Sequence, residues 1–232
     1  MAGILYGVGV GPGDSELLTL KAVRTLKEAD IICLPRADKE QCRAYQIALP
    51  AVPELKYKKI ISLDFEMTKD EAELERLHSD FYQKYRKLLV DGFDLCFLTI
   101  GDPTVYSTFG YIMKYAKKDG IEVEVINGIT AFCGSAASLG MVLAEGDEDI
   151  HIISGQKNLD DDLKLSGTKI IMKSGRNIAQ IKEKLVELEA EGKINVYAVI
   201  DCGMETEKIF NSAMAIPDNS RYMMTIIVKE CK

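Results

Sequence analysis

The feature that most constrains this chain is a repeated unit: a short apolar run, a glycine-bearing turn, then a stretch with helical periodicity. Gly3 to Val10 reads as a buried strand and enters the turn Gly11-Pro12-Gly13-Asp14. Asp14 or Ser15 then offers an N-cap for a helix over 16–29, with Leu17, Leu18, Leu20, Val23 and Leu26 on its apolar face. Strands are expected at 31–34, stopped at Pro35, and at 59–63, with a helical piece over 40–49 between them that ends at Pro50 and Pro53. The clearest amphipathic helix runs over 70–89 and stops at Gly92. Leu95 to Ile100 is wholly apolar and leads into Gly101-Asp102-Pro103 and a helix over 105–118. Apolar strands alternating with helices indicate a largely parallel sheet with helices on both faces, an α/β fold.

Near Asp119-Gly120 the pattern restarts, dividing the chain into domains at 1–120 and 121–232. The second half has a strand over 121–126, the turn Asn127-Gly128, and a helix over 130–139 rich in small residues. Further strands are expected at 150–154, 169–173, 194–200 and 222–228, with a helix over 177–191.

At 232 residues, two α/β lobes are the natural reading of length. Lysine and arginine number 29 against 36 acidic residues, a net charge of −7 that disfavours nucleic acid as the main partner. The six cysteines include no C-x-x-C pair, so neither a zinc site nor a disulfide framework is expected. No leader-like segment and no apolar run of about 20 residues is present, so a cytoplasmic chain without a membrane span is expected.

Three turns could carry chemistry: Gly9 to Asp14, Gly101 to Ser107, and Gly128 to Ala131. Each joins a strand to a helix, and ligands of open α/β sheets bind beyond the carboxyl ends of the strands. Glycine there admits positive φ and close approach of a ligand. The first turn does not fit G-x-G-x-x-G, and no P-loop, H-E-x-x-H or G-x-S-x-G occurs. His78 reads as a surface or boundary residue and His151 as structural, which leaves no triad. The run Glu145 to Asp149 lacks calcium-loop spacing and reads as a solvated loop. Lys56, Lys58 and Lys59 form a small basic patch, and Tyr106 could either pack or bind a ligand with its hydroxyl. On its own, Gly101-Asp102-Pro103 reads as a turn.

The order and wording of these turns resemble the tetrapyrrole methyltransferases. Gly9-Val10-Gly11-Pro12-Gly13-Asp14 is similar to that family's opening loop, Leu98 to Pro103 to its cofactor loop, and Asn127 to Ala131 to its second-domain turn. Gly101 to Phe109, Glu145 to Glu148 and Met172-Lys173-Ser174-Gly175-Arg176-Asn177 are similar to the branch that methylates carbon 20 of precorrin-2 or its cobalt form. The resemblance implies two α/β domains, a mostly parallel first sheet and a mixed second one, with the active-site cleft between them and usually a homodimer. It implies S-adenosylmethionine as methyl donor, with cobalt present only as part of the substrate. Residues it marks for donor contact are Pro12, Gly101, Asp102, Val105, Thr130, Ala131, Met172 and Gly203, with Tyr106 and Ser107 added. Many relatives have Gly-Thr at Gly203-Met204, and Met172 read alone would be core. Arg36, Arg43, Lys56 and Arg176 are candidates for the substrate's carboxylates. No general base is named. The rival readings are the metal-free substrate, another substrate on the same fold, and a non-catalytic module that binds a metabolite.

Overall fold

The computed structural model describes residues 2–36, 38–62, 71–219 and 223–231, with backbone only at 71–74. Leu63, Asp70 and Tyr222, expected at the ends of two strands and a helix, lie outside the described residues. The chain divides into two compact units, Met1–Thr130 and Ala131–Lys232.

The first unit is built on five parallel strands: β1 (Leu5–Gly9), β2 (Ile31–Leu34), β3 (Lys59–Ser62), β4 (Leu95–Thr99) and β5 (Val123–Ile126), in the order β3-β2-β4-β1-β5. All residues of β2 and β4 are buried, as strands covered on both faces must be. Alternate side chains feed opposite cores. Ile32, Leu34, Cys96 and Leu98 face helices α1 (Leu20–Glu28) and α2 (Arg43–Ala51). Ile31, Cys33, Leu95 and Phe97 face α3 (Glu71–Val90) and α4 (Phe109–Lys118). At Gly7 the ring of Phe109 comes so near that a Cβ would stand 2.2 Å from it, which fixes the start of α4 against β1.

The helix expected over 16–29 is broken. A 3-10 turn covers Ser15–Leu17, and α1 starts only at Leu20. The cause is Thr19, whose extended backbone cannot continue a helix and whose Oγ1 accepts from Ala22 N at 3.1 Å. Leu20 is consequently 90% exposed and does not join the apolar face. Likewise α4 starts four residues later than expected, because Tyr106 holds a left-handed φ of 51°. In α2, Pro50 sits inside the final turn instead of ending the helix.

The strand expected to open the second domain is β5, and it pairs with β1 from Leu5↔Val123 to Val8↔Ile126. It therefore completes the first sheet, and the division falls after Thr130 instead of after residue 120.

The second unit carries a mixed sheet of β6 (Ile150–Ser154), β7 (Thr168–Met172), β8 (Ile194–Ile200), β9 (Lys208–Phe210) and β10 (Met224–Glu230), in the order β6-β7-β10-β8-β9. β6 and β7 are parallel, while β10 runs antiparallel to both β7 and β8. The sequence reading missed β9, a three-residue edge strand. Helix α5 (Ala131–Ser138) packs against β8 and β10. Helix α6 (Ile178–Ala190) gives Ile178, Ile181 and Leu185 to a core with Ile153, Ile171, Val196, Ala198 and Ile226.

Candidate functional site

The strand order of the first sheet locates its crevice. The chain leaves β1 through α1 on one face and moves toward β2; it leaves β4 through α4 on the other face and moves toward β5. The neighbours β1 and β4 are thus where the winding reverses, and the carboxyl ends of such a pair edge the ligand crevice of an open α/β sheet. The glycine turns lie there.

These turns are bonded to each other by backbone. Gly101 N donates to Gly11 O at 2.8 Å, Gly11 N donates to Gly101 O at 3.3 Å, and Val10 N donates to Thr99 O at 2.9 Å. Gly11 and Gly101 have φ of 79° and 70°. The third turn is pressed against both: a Cβ on Gly128 would lie 2.2 Å from Gly101 O, and one on Gly9 would lie 2.6 Å from Gly128 N. Only glycine allows three chains to meet this closely.

Asp102 binds the turns together. Its Oδ1 accepts from Thr104 N at 2.8 Å and from Thr104 Oγ1 at 2.5 Å. Its Oδ2 accepts from Asn127 Nδ2 at 3.0 Å and Gly128 N at 3.1 Å. Burial by itself would raise the pKa of this carboxyl, but the bonds from Thr104, Asn127 and Gly128 outweigh it and hold the pKa below the usual aspartate value. Asp102 is therefore a brace for the crevice.

The other marked residues of this unit share the same edge. Pro12 is buried behind Gly11, Val105 is half-buried and Tyr106 is exposed. Ser107 Oγ lies 3.0 Å from Thr99 Oγ1 and accepts from Phe109 N at 3.1 Å, so its hydroxyl serves the entry to α4. Thr130 Oγ1 is buried without a hydrogen-bond partner, while Ala131, the next residue, opens α5 and belongs to the second unit. A buried hydroxyl left unpaired costs free energy, which a polar ligand group would relieve. Glycine backbone with room for no side chain and an orphaned hydroxyl suit a small ligand with polar groups at its edge.

Met172 and Gly203 belong to the second unit. Met172 ends β7, half-buried, and its carbonyl accepts from Gly155 N at 2.7 Å. Gly203 follows β8 with a φ of 73°, on the same edge of the sheet as Met172, beyond the start of β10. Its N–H donates to Glu207 Oε2 at 2.6 Å, an oxygen that also accepts from Ser138 Oγ at 2.9 Å. That amide is therefore engaged within its own loop.

Sequence reasoning passed over Gly9, Asn127 and Gly128 as site residues, although all three stand in the quoted turns. Spacing shows that a glycine bends the chain; it does not show which backbone lies against it.

His78 is buried, not at the surface or boundary; it stacks on Tyr111 with ring centroids 4.2 Å apart, and burial lowers its pKa. His151 Nε2 lies 2.8 Å from Ser166 O in the second unit. Glu148 of the acidic run is not solvated: Lys229 Nζ donates to both its oxygens at 2.8 and 2.9 Å. Lys58 caps the end of α1 through Lys27 O and Ala29 O, both at 2.5 Å. Of the basic residues considered for substrate carboxylates, Arg36 and Arg43 follow β2 on the crevice edge, Lys56 precedes β3 on the opposite edge, and Arg176 lies in the second unit. No described helix is long and apolar enough to cross a membrane.

Comparison with known proteins adds to this geometry. A probable cobalt-precorrin-2 C(20)-methyltransferase of Methanocaldococcus jannaschii is 39% identical over 206 residues, covering 88% of this chain and 85% of that protein. A precorrin-2 C(20)-methyltransferase of a Sinorhizobium species is 29% identical over 97% of this chain and 95% of its own length. Among solved structures, the uroporphyrin-III C-methyl transferase of Thermus thermophilus complexed with S-adenyl homocysteine superposes with a TM-score of 0.67, over 98% of this chain and 97% of that one, at 22% identity. The family model for tetrapyrrole (corrin/porphyrin) methylases matches residues 4–216, and the chain belongs to that family.

Proposed function

We propose that this chain transfers a methyl group from S-adenosylmethionine to carbon 20 of cobalt-precorrin-2. The observation that carries the reading is the 39% identity, over 88% of the chain, to a protein described as probably performing that reaction. Three glycine turns meeting at the reversal point of the first sheet, with the unpaired Thr130 hydroxyl beside them in sequence, supply a receptacle of suitable chemistry for the donor.

When bound, the donor supplies a methyl group on a positive sulfur that becomes neutral as the methyl leaves. What remains for the protein is alignment. Nucleophile, methyl and sulfur must be nearly collinear, and good positioning accounts for about 7–11 kcal/mol of barrier lowering. Asp102 keeps the turns after β4 and β5 in fixed register, and the Gly11–Gly101 exchange does the same for the turns after β1 and β4. The nucleophile is an electron-rich carbon of the macrocycle, so no protein nucleophile is needed.

Metal-free precorrin-2 is the second reading, favoured by the end-to-end similarity to the Sinorhizobium protein. Purified protein given S-adenosylmethionine and each tetrapyrrole under anaerobic conditions separates the two. S-adenosylhomocysteine release with a product one methylene unit heavier is expected from the cobalt form at the higher kcat/KM. The reverse preference would install the second reading; no turnover with either would leave a metabolite-binding module. On the family resemblance we also infer a cytoplasmic homodimer, which sedimentation of the purified chain tests.

A further inference from the structure

Each of the three glycine turns leads into a loop with a large apolar side chain exposed. Leu17 and Leu20 follow β1, Tyr106 follows β4, and Ile129 follows β5. All four belong to the first unit, and none of them joins either of its cores. A single exposed apolar residue is ordinary, whereas several gathered around one feature mark a surface that something covers.

These four are gathered by the contacts that join the turns. Leu17 lies against Gly11, where an added Cβ would stand 3.7 Å from the Cβ of Leu17. Thr19, just before Leu20, donates from Oγ1 to Asn127 O at 3.3 Å, two residues before Ile129. Gly11 and Gly101 exchange backbone bonds, and Asp102 ties the loop that carries Tyr106 to Gly128. Tyr106 keeps its aromatic ring at a left-handed φ of 51°, a conformation that glycine would adopt without strain. Such strain in a bulky residue gathers at working sites.

The proposed reaction dictates what must cover a surface beside the donor. Carbon 20 is a trigonal ring carbon, and the electron pair that attacks the methyl stands perpendicular to the ring plane. Nucleophile, methyl and sulfur must lie in one line, so the macrocycle meets the donor face-on. Its broad apolar face then spreads over the edge of the donor receptacle, while its carboxylates project from the periphery. Charged side chains under that face would be desolvated without partners. Leucine, isoleucine and an aromatic ring instead gain by losing water there.

We propose that Leu17, Leu20, Tyr106 and Ile129 are positioning residues that seat the face of the tetrapyrrole ring and hold carbon 20 over the donor methyl. This rests on the functional reading above and deepens it. Leu20, 90% exposed, has the most apolar surface to bury.

Leu20→Ser is the informative variant, because the residue belongs to no core and its loss leaves the fold intact. Its KM for the preferred tetrapyrrole is expected to rise about tenfold, the share of affinity that burying one leucine side chain contributes. Affinity for S-adenosylhomocysteine, read by calorimetry, should stay within about twofold. Leu20→Met, which keeps the apolar surface, should hold KM near the wild-type value, and Ile129→Ser should raise it. Tyr57→Ser is the control: Tyr57 is also 90% exposed but precedes β3, on the opposite edge of the sheet, so KM should not change. A Leu20→Ser enzyme whose KM does not move, or moves no more than that of Tyr57→Ser, overturns the proposal. So does a Leu20→Ser protein that sediments as a smaller species than wild type, which would make these side chains a contact between copies of the chain. Wild-type protein that methylates neither tetrapyrrole overturns the functional reading and the seat together; an active wild type with an unmoved variant KM overturns the seat alone.

Discussion

The backbone N–H of Gly128 donates to Asp102 Oδ2 at 3.1 Å, so a carboxylate at the end of β4 holds the turn at the end of β5. β1 lies between these strands, and its own turn is trapped between theirs. The receptacle is thereby a single braced unit.

Replacing Asp102 tests the brace. Asp102→Asn removes the charge and turns one acceptor into a donor facing groups that donate. Hydrogen bonds to charged groups contribute about 1.5–3 kcal/mol each. A loss of about 2–3 kcal/mol in urea unfolding is expected, with affinity for S-adenosylmethionine at least tenfold weaker by calorimetry. Unchanged donor affinity would remove Asp102 from the site.

The same carboxyl predicts a pH dependence. Its folded pKa lies below the unfolded value, so its stabilisation is fully present above the unfolded value and lost as pH falls through the folded one. Wild-type and Asp102→Asn proteins should differ by a constant amount from neutral pH down to about 4, the range where an unperturbed aspartate stays ionised. Below that the gap should narrow. Urea midpoints of both proteins across the series supply the measurement.

Close backbone approach predicts a severe effect from one methyl group. In Gly128→Ala the new Cβ would stand 2.2 Å from Gly101 O, a backbone atom that cannot swing aside. Overpacking costs about 1–3 kcal/mol, and here the displaced chain belongs to the receptacle. A drop in Tm together with loss of donor binding is expected. Gly110→Ala is the control, because a Cβ there meets nothing within 4 Å.

Two leucines of α1 should behave oppositely. Leu26 is wholly buried, and Leu26→Ala should cost about 2–5 kcal/mol. Leu20 is 90% exposed, and Leu20→Ser should stay within about 0.5 kcal/mol of wild type. Equal losses in chemical denaturation would mean that α1 extends back through Thr19.

The contrast between these leucines shows what the sequence made legible. Strands β2, β6 and β8 were readable to the residue because apolar, β-branched runs ended by breakers leave few alternatives. The helix over 16–29 misled because Leu17, Leu18 and Leu20 keep helical spacing across Thr19, whose side-chain cap outweighs periodicity. The domain boundary slipped because a turn signal at Gly120 marks the end of a helix without telling which sheet the next strand joins; pairing with β1 is a tertiary decision. Strand β9, three residues on a sheet edge, has too little pattern to register. At the site, the turns themselves were visible, but the engagement of Asp102 with Asn127 depends on groups brought together across the fold, and the local bonds of Ser107 to the start of α4 and of the Gly203 amide to Glu207 depend on loop conformations that residue spacing does not fix.

The position of β10 has a consequence for synthesis. Residues 224–230 run between β7 and β8 in the middle of the second sheet. The first sheet is complete once residue 126 has left the ribosome, so that lobe can fold early, while the second must wait until residue 230 has emerged. Until then β7 and β8 expose long apolar edges that nothing else in the lobe satisfies, and a nascent chain stalled before Met224 is a substrate for chaperones or proteases, not a weakened enzyme.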